Sequence, residues 1–367
     1  MSRPDSNSDA RDWQFMKKTL VLRINSQEPE LEKIRIAADF IKKGGLVAFP
    51  TETVYGLGAD ALNPKAVLAL FEAKRRPVDN PPIVHVGDVK DVYRLTKKVP
   101  RKAERLMTRF WPGPLTLIFE RSEIVPDVTV ASLDTIGIRM PRHWVALALI
   151  RGSGCPIAAP SANLAGKPSP TSAKHVLDDL NGRIDVILDA GPTHIGVEST
   201  VLDMTVEPPQ ILRPGGTPYE VLKEVLGKVE LNPVAVANKA LPVEKARSPG
   251  VKHRHYAPNA DMIVVEGEMT AVVNKINELV CFYVQVNKKV GVLATDETAR
   301  CYRADVVKSL GSRSDKAIVA RNLFRLLREF DLEKVDVIIA EGVSAERIGL
   351  AIMNRLRKAS GYNIVMV

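Results

Sequence analysis

Cysteine is scarce. The 367 residues contain three, Cys155, Cys281 and Cys301, and no two stand in a Cys-x-x-Cys spacing. That argues against a disulfide framework and against a structural zinc site, and it fits a reducing cytoplasm. Histidine is hardly commoner: six are present, none in a His-Glu-x-x-His arrangement, and the one close pair is His253-x-His255. Aromatic residues make up 5% of the chain, and no RNA-recognition signature of the RRM or KH type is visible. No apolar run approaches the roughly 20 residues that cross a bilayer. The opening "MSRPDSNSDARDWQFMKK" lacks the apolar segment of a secretory signal.

The common nucleotide and nucleophile motifs are missing as well. Gly56, Gly58 and Ala61 match Gly-x-Gly-x-x-Ala, but the apolar strand ends near Phe49 and the next helix starts only at Asn63-Pro64, so the dinucleotide fingerprint fails. "LAGKPS" has Ser161 where a Walker A loop needs its first glycine. "GVESTVLD" is not Gly-x-Ser-x-Gly, which leaves a nucleophile elbow unsupported.

What remains is an ordinary globular composition, 45% hydrophobic and 26% charged, with a formal net charge of +9 and a pI near 9.4. The charge favours phosphates, of nucleotides or of RNA. The length suits two domains. Residues 1–27 read as a flexible arm. Residues 28–227 mix short strands ("LTLIFE", "GIRM", "DVILD", "TVLDM") with helical patterns, which predicts an α/β domain with a mixed sheet. Residues 228–259 lose periodicity, gain prolines and read as a linker. Residues 260–367 alternate fully apolar strands with helices, the pattern of a small Rossmann-like parallel sheet.

Several strand ends in the first domain release polar or cationic groups, as at a ligand cleft. "AFPTETVYGLGAD" runs from a strand into a polar, glycine-punctuated loop. "EAKRRPVDNPPIVH" ends a helix in Lys74, Arg75 and Arg76, which either complement the helix dipole or meet a polyphosphate. His85 by itself reads as a neutral core histidine. "CPIAAPSANLAGKPSPTS" crowds Ser161, Asn163, Lys167, Ser169, Thr171 and Ser172 among prolines, a density that suits a base, ribose or phosphate. Arg139, inside an apolar strand, faces either water or a site that needs a fixed cation. Arg213, before Pro214-Gly215, reads by default as a surface charge. Cations and neutral donors without a nucleophile point to catalysis by positioning and charge stabilisation.

These motifs, with "WPGPLTLIF", "TIGIRMPRH", "ILRPGG", "SPGVKHRHYAP" and "EGVSAERIGLAIMNRLRKAS", resemble the threonylcarbamoyl-AMP synthase family in its long form, a YrdC-like domain followed by a C-terminal domain. The resemblance implies synthesis of threonylcarbamoyl-adenylate and pyrophosphate from L-threonine, bicarbonate and ATP, with Mg2+ accompanying the ATP. It implies, as partner, a tRNA threonylcarbamoyl transferase complex, of the KEOPS type or its bacterial equivalent, that modifies ANN-decoding tRNAs. By the same resemblance Thr53, His85, Arg139, Ala159 and Ser199 surround L-threonine. Lys74, Arg76, Asn80, Thr135, Ser161, Asn163, Ser169, Arg213 and Tyr256 hold ATP or the adenylate. No metal ligand from protein side chains alone, no organic cofactor and no membrane partner are implied. Two rivals stand beside it. An RNA-binding module would use the charge for direct RNA contact, and a hydrogenase-maturation carbamoyltransferase would need zinc modules for which the cysteines are too few.

Overall fold

Helix formation follows the apolar spacing. Leu31–Lys42 is a helix that buries Ile34, Ala37, Ala38 and Ile41, one stripe at three- and four-residue intervals. That stripe packs on Val145, Ala146, Leu149 and Ile150 of helix Trp144–Ser153. Asn63 caps the helix Pro64–Ala73, its side chain accepting from the Lys65 and Ala66 N–H groups, with Pro64 in the first turn. The structure, a computed structural model, describes residues 18–25, 30–239 and 256–367.

Eleven strands form the first sheet, in the spatial order Leu20–Arg23, Val186–Asp189, Val47–Phe49, Gly56–Asp60, Ile157–Ala158, Val84–His85, Thr135–Arg139, Leu115–Glu120, Thr200–Asp203, Gln210–Arg213 and Glu230–Leu231. Its pairings are mixed: Val47–Phe49 is parallel to Val186–Asp189 but antiparallel to Gly56–Asp60. The second sheet is wholly parallel, in the order Val306–Ser309, Val290–Ala294, Val337–Glu341, Asp261–Glu266 and Ile364–Met366. Its strands Val290–Ala294 and Val337–Glu341 are buried at every residue, as expected where helices cover both faces. A mixed sheet followed by a small parallel one is the fold class expected from the sequence.

Three sequence expectations change. The stretch read as a loop after Phe49 contains a buried strand, Gly56–Asp60. A Cβ on Gly58 would stand 2.7 Å from Ile157 Cγ2 and 2.9 Å from Phe49 Cε1, so this glycine serves close strand approach, not a turn. Leu20–Arg23, within the stretch read as a flexible arm, pairs in parallel with Val186–Asp189. Within the stretch read as linker, Glu230–Leu231 adds to the sheet edge and Pro233–Val236 forms a short helix. Residues 1–17 of the arm and 240–255 of the linker, including His253 and His255, lie outside the described residues.

The two sheets share a core. Val54 and Val197, beside the cleft, pack in one apolar cluster with Val319, Ala320, Leu323 and Phe324 of helix Lys316–Glu333. Backbone meets backbone there: Gly196 has φ +83°, and a Cβ on it would lie 2.4 Å from Arg321 Cα. A Gly196→Ala variant should therefore lose about 2 kcal/mol or more of stability. The readout is a lowered urea midpoint; an unchanged midpoint would show that these surfaces are not held together.

Candidate active site

Four loops deliver side chains to one cleft. In the first, Thr51 ties a tight turn: its hydroxyl donates to Val54 O at 2.7 Å and accepts from the Thr53 N–H at 3.1 Å. Thr53 Oγ1 accepts from Arg139 Nη1 at 3.0 Å, while Arg139 Nε donates to Gly113 O at 3.1 Å. Arg139 Nη2 lies 2.7 Å from Glu52 Oε2, and the two side chains are only 4% and 6% exposed. Of the sequence alternatives for Arg139, the interior site holds. Two of its five N–H donors are engaged in hydrogen bonds, and Nη2, though near Glu52, is buried without one, which leaves three for a ligand. His85, its register partner on the neighbouring parallel strand, is buried. Burial, reinforced by the Arg139 charge, lowers the imidazole pKa to about 3, so the ring is neutral at neutral pH.

The second and third loops are locked together by Lys74. Its ammonium donates to Ser161 O and Asn163 O, both at 2.5 Å. Burial, and then the Arg76 charge, push its pKa well below the usual lysine value. Arg76 does reach the cleft. Its Nη2 donates to Asn80 O at 2.8 Å, whereas its Nε is buried without a partner, as are both polar atoms of the Asn80 amide. Such groups cost about 1–3 kcal/mol each when left unsatisfied. Ser161 Oγ donates to Asn163 Oδ1 at 2.6 Å, and the Asn163 amide holds Leu164 O and Lys167 O.

The fourth loop carries Glu198 and Ser199. Ser199 Oγ lies 2.8 Å from Thr116 Oγ1 and accepts from Arg213 Nη2 at 3.2 Å. Arg213 is only 4% exposed, which corrects its reading as a surface charge: the strand Gln210–Arg213 ends inside the cleft, not at its rim. Glu198 accepts from Ser169 Oγ at 2.6 Å and from Arg355 Nε at 2.9 Å. Arg355 comes from helix Gly349–Ala359 of the second domain, and its guanidinium lies 5.5 Å from the Tyr256 ring centre. Burial alone would raise the Glu198 pKa, but Arg355 and Arg213 outweigh it and bring it down to about 2.

Thr53, Arg76, His85, Arg139, Ala159, Ser161, Asn163, Ser199, Arg213 and Tyr256 thus line a common cleft, joined by Thr51, Gly56, Lys167 and Glu198. Lys74 stands behind it. Asn80 and Ser169 adjoin it through Arg76 and Glu198. Thr135 lies apart from the cleft, in a separate crevice with Pro81, Pro82 and Gly137; Ile83 borders both. Sequence reasoning gave Glu198 no role and missed Arg355. The acid in "GVEST" was the available signal for the first, and Arg355 had none, since its partner lies 157 positions away.

The match to known proteins runs the length of the chain. Residues 39–215 fit the Sua5/YciO/YrdC family model, described as telomere recombination, and residues 218–361 fit that of the threonylcarbamoyl-AMP synthase C-terminal domain. Threonylcarbamoyl-AMP synthase of Pyrococcus abyssi is 53% identical over 95% of this chain and 100% of its own. The chain belongs to this synthase family. The Bacillus subtilis relative of the same name is 49% identical over 93% of this chain and 96% of its own. The crystal structure of P. abyssi Sua5 complexed with L-threonine superposes with a TM-score of 0.90, at 52% identity, over 95% of this chain and 100% of that one. The chain is accordingly an enzyme of the nucleotidyltransferase kind.

Protonating Glu198 would leave Arg355 as an unpaired buried cation. Its carboxyl, ordinarily near 4.5, is held at about 2 in the fold, so the stabilisation is complete above pH 4.5 and lost as pH falls toward 2. The amount is on the order of 3 kcal/mol. A Glu198→Gln variant should be less stable than the parent at pH 7 and should show a flatter loss of stability between pH 4.5 and 2. Urea midpoints measured across that range check it; parallel curves would remove Glu198 as the titrating group.

Proposed function

We propose that this enzyme makes L-threonylcarbamoyl-adenylate from L-threonine, bicarbonate and ATP. The observation that carries the reading is the division of the cleft into two kinds of donor. Around Thr53 stand a hydroxyl pair, a neutral imidazole and a guanidinium with spare donors, a set that suits a small hydroxylated amino acid. Around Arg76 and Asn80 stand buried polar atoms without partners, a set that suits phosphate. The relative's complex with L-threonine supports the first half.

In this reading the Thr53 hydroxyl meets the substrate hydroxyl, and Arg139 offers its free N–H groups to the carboxylate. His85, Ala159 and Ser199 complete the wall. The threonine amine adds to the carbon of bicarbonate with loss of water, giving a carbamate. A carbamate oxygen then attacks the α-phosphorus of ATP, and the bond to the bridging oxygen breaks to release pyrophosphate. Arg76, Arg213, Ser161 and Asn163 face the phosphates, while Lys74 positions the Ser161–Asn163 backbone. Thr135 and the crevice beyond Ile83 receive the adenosine end. Mg2+ would accompany the ATP phosphates. Stabilisation of the leaving group by fixed cations is the main catalytic contribution. Transfer of the product to tRNA falls to a separate transferase complex, and the +9 charge is compatible with contact to RNA.

The decisive assay is incorporation of labelled bicarbonate into an acid-labile adenylate with ATP, Mg2+ and L-threonine. Threonine-dependent label with equal pyrophosphate is expected, reduced about 100-fold or more by Arg76→Ala. Label that forms without threonine, or persists in the variant, would defeat the assignment.

Tyr256 serves as a lid in this scheme. It lines the cleft, is 5% exposed, and has a backbone φ of +65° that non-glycine residues rarely adopt. Carbamates decompose in water, so an open site wastes the intermediate. Tyr256→Ala should keep ATP affinity within about threefold while lowering the adenylate recovered per pyrophosphate released. Unchanged coupling would remove the lid.

A further inference from the structure

A second cavity of about 730 Å3 lies where the two domains meet. Its walls are Arg142, His143 and Trp144 at the start of one helix, the 190–194 loop, and Arg321, Asn322 and Arg325 of helix Lys316–Glu333. It shares no lining residue with the cleft. Its size falls within the roughly 300–1,000 Å3 of small-molecule sites.

The lining contains three arginines and no carboxylate. Arg142 is fixed through Nε, which donates to Pro112 O at 3.0 Å, and Arg321 through Nε to His194 O at 2.8 Å. Both keep their terminal nitrogens free of any carboxylate among the described residues, whereas Arg325 is paired with Glu329. Two further groups lack partners. The hydroxyl of Thr193, a residue 4% exposed, and Nδ1 of His143 are buried without a hydrogen bond. Burial lowers the His143 pKa to about 4, so at neutral pH this ring offers a hydrogen bond and no charge. Two anchored guanidinium forks match phosphate oxygens geometrically, and the half-buried Trp144 offers a flat apolar face.

We propose that this junction cavity binds a small polyphosphate anion, free or carried on a nucleoside, at a site separate from the cleft. Enclosure between two domains favours a compact ligand over a nucleic-acid strand. The loop that walls it continues into Ile195 and Gly196, whose N–H groups donate to Glu52 O and Thr53 O at 2.8 and 3.1 Å. An anion there sits one loop away from the Glu52–Arg139 pair.

Trp144 is the reporter. The chain has two other tryptophans, Trp13 and the core residue Trp111, so a Trp144→Phe variant assigns the signal. Inorganic pyrophosphate titrated into the full chain at constant ionic strength should give a saturable fluorescence change that Trp144→Phe abolishes. Arg142→Ala and Arg321→Ala, both exposed positions, should each weaken the apparent Kd about tenfold, the loss of one charge-assisted contact. A short single-stranded RNA at equal phosphate concentration should not saturate the signal. No saturable change, or a Kd unchanged from the parent in both arginine variants, would overturn the site. Saturation by RNA alone would overturn the small-anion assignment. Pyrophosphate is also the product proposed for the cleft, so the arginine variants, which line only the junction cavity, decide which site carries the signal.

Discussion

The buried pair of Glu198 and Arg355 holds the two halves of the enzyme in one geometry. Either charge buried alone would cost several kcal/mol, so the Glu198 loop needs the second domain and helix Gly349–Ala359 needs the first. The lowered Glu198 pKa shows that attraction outweighs desolvation here, and the pair supplies placement as well as stability. Arg355 also donates to Pro214 O at 2.7 Å, beside Arg213. Glu198 in turn fixes the Ser169 hydroxyl. The C-terminal domain thus braces the cleft from behind through Glu198, without lining it.

Around that pair the interior is rich in cations. Lys74, Arg139, Arg213, Arg355 and Lys358 are all buried, and the buried carboxylates that face them are Glu52, Asp179 and Glu198. Burial, with Arg355 and Arg213 nearby, brings the Lys358 pKa down to about 7, a sign of how much positive potential has accumulated. Backbone carbonyls accept much of it: Ser161 O and Asn163 O from Lys74, Gly113 O from Arg139, Ser199 O from Arg213. Each of those carbonyls belongs to a loop that shapes the cleft. The cations therefore organise the loops first, and the residual field is available to an anionic ligand.

Local signals explain what was legible in the sequence. Asn63-Pro64 marked a helix start because a side-chain cap and a proline act within one turn. The fully apolar strands marked the parallel sheet because burial on both faces removes the alternation. Motif resemblance named many residues that share one cleft, Arg213 among them, although Thr135 lines a separate crevice and Lys74 stands behind. The misses share one cause, distance. Gly56–Asp60 looked like a loop because its glycines answer to Ile157, about a hundred positions away. Arg355 looked like an ordinary basic residue on an amphipathic helix because its carboxylate lies in the other domain.

The enclosed volume of the cleft sets one more constraint. About 50 Å3 is open in the described geometry, far below the roughly 300 Å3 of ordinary ligand pockets, so the proposed substrates need side chains of the wall to move aside. Tyr256 shares an apolar cluster with Val54 and Val197 of the first domain as well as with the second domain. Its ring rests on Phe324, with centroids 5.2 Å apart, and beneath the Arg355 guanidinium, both from the second domain. An aromatic contact and a cation–π contact together are worth about 1–3 kcal/mol. The Tyr256 hydroxyl is in addition tied to Glu198. The proposed lid is therefore coupled to the pair that joins the domains, and lifting it removes one of the partners that Glu198 holds.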